Sequence, residues 1–479
     1  MFNTNYNKTK IVATIGPASS TKEVLKELII AGVDCFRINF SHGSYEQHAQ
    51  SITYIRELVA ELNYPIAILG DLQGPKLRIG IVEGEGIQLV EGEAITFVSE
   101  ECIGTKEGLY MTYQNFPRDV KVGENILLDD GKLQLEIVAT NRIDTVVTKV
   151  IVGGLLTSKK GVNLPNTKIS LPSLTQKDLR DLDFAIQQDI DWIGLSFVRH
   201  EKDVQELRSL IAEKKGTQLI VAKIEKPEAI EHIDAIIAIT DAVMVARGDL
   251  GVEVPLHQLP VTQKMIVKKC LLAAKPVIIA TQMMESMITN PTPSRAEVND
   301  VANSVVDGAD AVMLSGETSM GKYPVRVIEY IEKIIGEVES KNYHYFRRAD
   351  ITQESSKDRF VSDLILYAGS LLARGSNATS IVGFTQTGYA AYKIASFRPN
   401  ANLYFFTNNK KIINTLNIVW GVRGFYYDKS LSTDETIQEV KHFLKDENWV
   451  KKGDMMVHIA SIPFIAKGNT NMVKLQEID

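Results

Sequence analysis

The sequence predicts an α/β chain: a (β/α)8 TIM barrel with a small β-barrel lid domain inserted into it and a separate C-terminal α/β domain. Three observations carry that prediction. Eight short β-rich runs end in polar residues, most have a helix-length segment between them, and their spacing breaks once by about a hundred residues. Alternating strand and helix imply βαβ units and parallel pairing, and eight such units close into a barrel.

In chain order the runs are Ile11–Gly16, Cys35–Ser41, Ile66–Asp71, Trp192–Phe197, Leu219–Glu225, Ala242–Asp249, Val277–Gln282 and Ala311–Glu317. Most are near-continuous Val, Ile, Leu, Met and Phe, as strands buried on both faces require. Thr21–Ala31, Glu228–Ile239 and Pro324–Glu337 are among the helix-length segments between them. A barrel of this type carries its active site at the C-terminal ends of the strands. Arg37, Asn39, Ser41, Asp71, Lys223, Glu225, Asp249, Thr281 and Glu317 all fall there.

The break runs from about Pro75 to Pro172, too long for a loop. Its alternating segments, Gly86–Val90, Ala94–Val98, Asn125–Leu128, Leu133–Val138 and Thr145–Val150, predict an inserted all-β unit at the catalytic rim, placed to act as a lid. Charged residues over His344–Asp358 mark a helix end or linker. Ser380–Gly388, Asn402–Thr407, Gly424–Asp428 and Asp454–Ser461 then read as strands of a further α/β domain. The expected division is 1–74 and 172–342 for the barrel, 75–171 for the lid and 355–479 for the C-terminal domain. No internal repeat of 20–50 residues is visible.

The chain has 479 residues, 44% of them hydrophobic, enough for several cores. Its net charge of −6 argues against a nucleic-acid binder. Three cysteines without Cys-x-x-Cys give neither a disulfide framework nor a zinc knuckle. The first residues lack the apolar core of a signal peptide and no run is long enough to span a bilayer, so a cytoplasmic location is expected.

Lys223-Ile-Glu225 and Arg247-Gly-Asp249 end successive apolar runs. Carboxylates with a cation on adjacent strand ends suit Mg²⁺, which takes oxygen ligands and keeps positions open for substrate phosphates. A lysine beside them can stabilise charge moving between a phosphate and an oxyanion. Two surface salt bridges are the bland alternative. Gly316 to Tyr323 mimics a P-loop but ends in Tyr, which cannot replace the metal-holding Ser or Thr. Glu317 and Thr318 therefore stay as rim residues.

These strings resemble the pyruvate kinase family from end to end. They are Thr14-Ile-Gly-Pro-Ala-Ser, Arg37-Ile-Asn-Phe-Ser-His-Gly, Asp71-Leu-Gln-Gly-Pro-Lys-Leu-Arg78, Lys159-Lys-Gly-Val-Asn-Leu-Pro, Lys223-Ile-Glu-Lys-Pro-Glu, Val245-Ala-Arg-Gly-Asp-Leu-Gly, Ala280-Thr-Gln-Met-Met-Glu-Ser-Met, Ser294-Arg-Ala-Glu and Leu314-Ser-Gly-Glu-Thr. The resemblance implies phosphoryl transfer from phosphoenolpyruvate to ADP, giving pyruvate and ATP, and a homotetramer. It implies Glu225 and Asp249 as ligands of Mg²⁺ (or Mn²⁺), Lys223 as the transition-state cation and Arg37 as a phosphate clamp. Gly248, Asp249 and Thr281 would hold the substrate carboxylate. Thr281, with Glu317 in a relay, would stand near the enol's protonation. Arg78 and Lys160 would meet nucleotide phosphates, with Asn39, Phe40, Ser41 and His42 facing the same nucleotide. An Arg37–Asp71 ion pair, a strand-end role for Thr281 and a solvated Lys160 are the structural alternatives. A Mg²⁺-dependent aldolase acting on a pyruvate enolate is the rival enzyme, but it has no need of Arg78, Lys160 or a lid.

Two departures stand out. Members that require K⁺ usually read Thr-Lys-Gly-Pro-Glu after the third strand, with a later Thr; here Leu72, Gln73, Lys76 and Ile79 occupy those places. A K⁺ in the family site would touch Asn39, Ser41 and Asp71, beside Leu72. Lys76 carries the same charge, so independence of K⁺ is expected. In the C-terminal domain, Thr385-Gln-Thr-Gly388-Tyr389-Ala390 follows a strand and opens a helix, a place where backbone amides can hold phosphate. Tyr389 and Ala390 replace the basic residue that sugar-phosphate binders carry. The Ser461–Gly468 loop also lacks a glycine-rich, Arg-bearing stretch, so an effector site there is in doubt.

Overall fold

The computed structural model describes residues 6–341, 351, 359–429, 431–461 and 470–479. The linker expected over 344–358 lies, apart from Ile351, outside the described residues, as does nearly all of the 461–468 loop.

Eight parallel strands close a ring in the order Lys10–Thr14, Cys35–Asn39, Ala67–Asp71, Trp192–Leu195, Leu219–Ile224, Ala242–Ala246, Val277–Ala280, Ala311–Leu314 and back to the first. All eight expected runs are strands. Several end earlier than the polarity pattern suggested, because the polar residues leave the sheet to form the rim. Arg247–Glu253 is a short helix after the sixth strand, and Gly316–Ser319 is one turn after the eighth. Phe197, Thr281 and Gln282 have φ of 54°, 68° and 54°, which no strand contains. The Glu228–Ile239 segment forms two helices, Pro227–Glu231 and Ile233–Ile239. Thr21 caps the first barrel helix by accepting from the Val24 amide.

The opposite end of the barrel carries a fourfold pattern. Asp34, Asp191, Asp241 and Asp310 each stand immediately before an even-numbered barrel strand. Each accepts, at 2.8–3.0 Å, the amide of a residue in the preceding odd strand: Ile11, Ile68, Ile220 and Val277. Each also donates its own amide back to that residue's carbonyl. The pairs recur at uneven spacing because of the insertion, so no sequence repeat reveals them.

The C-terminal unit uses this end. Its five-stranded sheet runs Val422–Tyr426, Asn402–Thr407, Ser380–Phe384, Met455–Ala460 and Met472–Glu477, the last antiparallel. Arg398 pairs with Asp310 at 3.1 Å, Arg423 approaches Asp34 at 3.6 Å, and Asn414 donates to Asp191 at 3.2 Å. The Arg423 guanidinium also lies 4.4 Å from the Tyr6 ring centre and 4.5 Å from that of Tyr64. Gly388, at φ 82°, opens the Tyr389–Ser396 helix as expected. The Tyr389 hydroxyl donates to Asp363, and Arg359 stacks on its ring.

Between the third and fourth barrel strands lies the inserted β unit. Six strands pair as Val162–Asn163, Asn125–Leu128, Leu133–Thr140, Thr145–Val152, Ala94–Val98 and Leu109–Tyr110. Single bridges from Arg78 to Gly161 and from Ile79 to Met111 join the two edges, so the sheet curls on itself. Its interior is a separate apolar core that includes Ile95, Phe97, Ile126, Leu135 and Val150. Leu109–Tyr110, Gly154–Leu156 and Val162–Asn163 had no readable alternation, whereas Ile87–Leu89, as short as Gly154–Leu156, falls within the expected Gly86–Val90 segment.

Candidate active site

Strand ends deliver a charged cluster to the C-terminal mouth of the barrel. Asp71 closes the third strand and is buried. Arg37, from the second strand, donates through Nε to Asp71 at 2.7 Å and places Nη2 2.6 Å from the same oxygen; its Nη1 donates to Thr14 at 3.1 Å. The ion-pair reading of Arg37 is thus present in the geometry.

Lys223, on the fifth strand, sits 8% exposed. Its ammonium lies 3.1 Å from Asp71 and 3.0 Å from Glu225, and donates to the Ser196 hydroxyl at 2.7 Å. One N–H is thus hydrogen-bonded to Ser196, and the two carboxylates hold the ammonium as ion pairs. Ser196 in turn donates its O–H to the Leu72 carbonyl at 2.7 Å. Burial would lower the Lys223 pKa, but Asp71 and Glu225 outweigh it and hold the ammonium above its ordinary range.

The carboxylates divide. Burial pushes Asp71 up, yet Lys223 and Arg37 overcome it and keep Asp71 below the usual value. Glu225 is raised, first by burial and then by the charges of Asp249 and Asp71, against the opposing pull of Lys223 and of the Phe197 amide. Its other oxygen accepts the Phe197 amide at 2.8 Å. Arg37 and Lys223 supply two positive charges against three negative ones on Asp71, Glu225 and Asp249. The uncompensated charge falls on the Glu225–Asp249 side, where a hard divalent cation fits. Among the described residues no three His, Cys, Asp or Glu side chains gather as a closed metal cage. Two carboxylates with open positions match an ion that shares its shell with substrate.

Asp249 lies in the first turn of the Arg247–Glu253 helix. The Gly248 amide donates to the Thr281 hydroxyl at 2.6 Å, and that hydroxyl reaches its neighbouring Ala280 carbonyl at 2.6 Å. Arg247 holds the strained Thr281–Gln282 turn by donating to both carbonyls, at 2.8 and 3.3 Å, while pairing with Asp300 at 2.7 Å. Two consecutive left-handed residues cost of order 1–3 kcal/mol each and persist where surrounding contacts enforce them.

The remaining expected residues are more dispersed. Glu317 is buried and accepts the Ser315 and Met284 amides at 2.7 and 3.1 Å; burial raises its pKa despite those bonds. Asn39 accepts the Ser41 amide at 3.1 Å, and His42 is exposed. The Phe40 ring is buried edge-on to His48 and Phe184, leaving its carbonyl to accept from Lys177. Leu72 is buried. On the inserted unit, Arg78 donates to the Lys159 carbonyl at 3.0 Å and Lys160 pairs with Asp129 at 2.6 Å. A cavity separates this unit from the barrel, lined by Lys76, Asp130, Gly161, Phe197 and Asp249 among others. Lys76 is exposed there and, among the described residues, has no carboxylate within ion-pair distance. The Ser196 hydroxyl and the Phe197 amide are contacts that sequence reasoning missed, and Arg247, read there only as a strand-end cation, turns out to hold the Thr281–Gln282 turn.

Comparison with known proteins agrees with this architecture. Residues 6–328 match the family model for the pyruvate kinase barrel domain, and residues 363–476 match that for the pyruvate kinase alpha/beta domain. The pyruvate kinase of Clostridium acetobutylicum is 40% identical over 475 residues, covering 98% of this chain and all of that protein. That of Geobacillus stearothermophilus is 41% identical over 473 residues, covering 98% of this chain and 80% of the relative. The crystal structure of a pyruvate kinase from Cryptosporidium parvum superposes with a TM-score of 0.90 at 32% identity, covering 99% of this chain and 97% of that one. With both domains matched in order and the barrel, inserted β unit and C-terminal sheet all present, this chain belongs to the pyruvate kinase family and is a phosphotransferase.

Proposed function

We propose that the protein transfers the phosphoryl group of phosphoenolpyruvate to ADP, giving pyruvate and ATP. The observation that supports this best is the Arg37–Asp71–Lys223–Glu225 chain at the mouth of the barrel, with Asp249 beside it. In this reading Arg37 clamps the phosphoryl group, and its planar fork suits phosphate better than a point charge. Lys223 stands between phosphoryl and enolate oxygens and stabilises charge as it moves. Glu225 and Asp249 hold Mg²⁺ or Mn²⁺, which when bound supplies Lewis-acid neutralisation of the substrate oxygens. The Gly248 and Asp249 amides and the Thr281 hydroxyl orient the substrate carboxylate. Thr281 stands nearest the enol's protonation, with Glu317 behind it. Arg78 and Lys160, with Asn39 to His42, receive the nucleotide, and the inserted unit closes over it as a lid.

The test is a coupled assay for pyruvate from phosphoenolpyruvate and ADP. Turnover supports the reading; pyruvate formed only by cleavage of an aldol, with no ADP dependence, overturns it in favour of the aldolase.

Independence of K⁺ belongs to the same proposal. Its support lies in the sequence: Lys76 carries the charge of K⁺, and Leu72, Gln73 and Ile79 accompany it where K⁺-requiring members read otherwise. Initial rates in buffers whose only monovalent cation is a bulky organic ammonium should equal those with K⁺. Lys76→Glu should lower activity, with partial recovery on adding K⁺. A wild type that is nearly inactive until K⁺ is added rejects the substitution.

A homotetramer in the cytoplasm completes the proposal. Leu256, Val261 and Leu272 are exposed around one barrel helix, apolar surface that a subunit contact would cover. No helix of the described residues is long and apolar enough to cross a membrane.

A further inference from the structure

Among the polar contacts between the inserted β unit and the barrel, one joins two side chains around a buried carboxylate. Asn163, in the short strand Val162–Asn163, donates through its side-chain amide to Glu253 Oε1 at 2.7 Å. Lys226 reaches the same oxygen at 2.5 Å. Glu253 is 4% exposed and its second oxygen has no hydrogen-bond partner. A carboxylate this buried needs its cation, and Lys226 supplies it.

The three residues are placed tellingly in the chain. Asn163 lies three residues after Lys160. Glu253 ends the helix whose first turn carries Gly248 and Asp249. Lys226 directly follows Glu225. Beside them, a Cβ built on Gly131, in the turn after Asp129, would lie 3.5 Å from Val252. Asp129 is in turn the partner of Lys160. The Asp249 helix therefore touches the inserted unit at its far end while it presents its near end to the charged cluster.

We propose that Asn163 and Glu253 form the closing contact of the inserted unit. As positioning residues they set Arg78 and Lys160 at a fixed distance from the Asp249 helix. The inference rests on the phosphoryl-transfer reading and adds a source of nucleotide affinity to it. Glu253, neutralised by Lys226, is a preformed acceptor on the barrel. Asn163 arrives only when the unit docks, and nucleotide bound to Lys160 and Arg78 favours the docked state.

The test is a swap of hydrogen-bond polarity. Asn163→Ala should raise KM for ADP about tenfold, with a smaller fall in kcat. Proton exchange at the pyruvate methyl, measured without nucleotide, should stay within about twofold of wild type. Asn163→Asp sets two carboxylates against each other and should raise KM for ADP further. Combining it with Glu253→Gln restores a donor–acceptor pair with the donor reversed, and should bring KM for ADP back to within about threefold of wild type. Hydrogen exchange should be faster around Val162 in Asn163→Asp and recover in the double variant. If the double variant is no better than Asn163→Asp, or if Asn163→Ala leaves KM for ADP unchanged, the closing contact is rejected. The Asn163 variants decide the matter by themselves should Glu253→Gln fail to fold. A wild type without phosphoryl transfer sinks the underlying reading instead.

Discussion

The two ends of the barrel use the same residue types to opposite effect. At the N-terminal end, Asp34, Asp191, Asp241 and Asp310 each meet a backbone amide and then cations, arginines at all four and Lys10 as well at Asp34. At the C-terminal end, Asp71 and Glu225 meet the movable ammonium of Lys223, and Glu225 also feels Asp249. A carboxylate whose lone pairs are filled by fixed amides staples strands together. One that shares a cation with its neighbours keeps capacity for a ligand. Chemistry follows from what is left uncompensated, and residue type alone does not predict it.

The sharpest way to test this contrast is to delete carboxylates at the C-terminal end. Glu225→Ala with Asp249→Ala should lower turnover at least about 10³-fold, more than one transition-state contact supplies, while the thermal unfolding midpoint stays close to wild type. Normal turnover and normal Mn²⁺ affinity in that variant would refute the metal assignment.

Lys223→Met should follow, with phosphoryl transfer reduced about 10²–10³-fold. Ketonisation of enolpyruvate, which moves no phosphate, should survive better. Equal loss of both would leave Lys223 a general structural cation.

The N-terminal end should behave in reverse. Asp310→Ala leaves the Arg398 guanidinium buried without its partner, and removing one member of a buried pair typically costs about 3–5 kcal/mol. A marked drop in the urea midpoint with kcat/KM nearly unchanged is expected. Lost activity in a protein of normal stability would erase the distinction between the two ends.

The smallest effect concerns pH. Glu332 lies behind the same end, accepting from the Asn7 side-chain amide at 2.6 Å. Burial, then the charges of Asp34 and Glu339, raise its pKa to about 8. A carboxyl raised in the folded state binds its proton more tightly there than when unfolded. Its stabilising contribution is therefore full below the unfolded value and fades as pH rises through about 8. The melting temperature should decline from about pH 5 to about pH 8 and level off above it, and Glu332→Gln should flatten that decline. An identical slope in the variant would show that Glu332 does not titrate there.

Much of this was legible in the sequence. Strands buried on both faces read as apolar runs, and polar residues ending them mark a rim, so the barrel, Lys223 and Glu225 emerge from pattern alone. The runs read too long at Phe197 and Thr281 because left-handed backbone leaves no trace in hydrophobicity. The N-terminal aspartates are single letters beside apolar strands, and their partners are backbone groups, which every residue has. Asn163 and Glu253 are 90 positions apart and polar, without any pattern linking them. The two-residue strands Leu109–Tyr110 and Val162–Asn163 are too short to show a period of two.

The Thr281–Gln282 turn has a consequence for protein engineering. A search for heat resistance alone would favour glycine at either position, since glycine adopts that backbone without strain. At Thr281 it would also remove the hydroxyl that receives the Gly248 amide. Selection for durability and selection to keep that contact should therefore part company at Thr281, while Gln282 carries no such conflict.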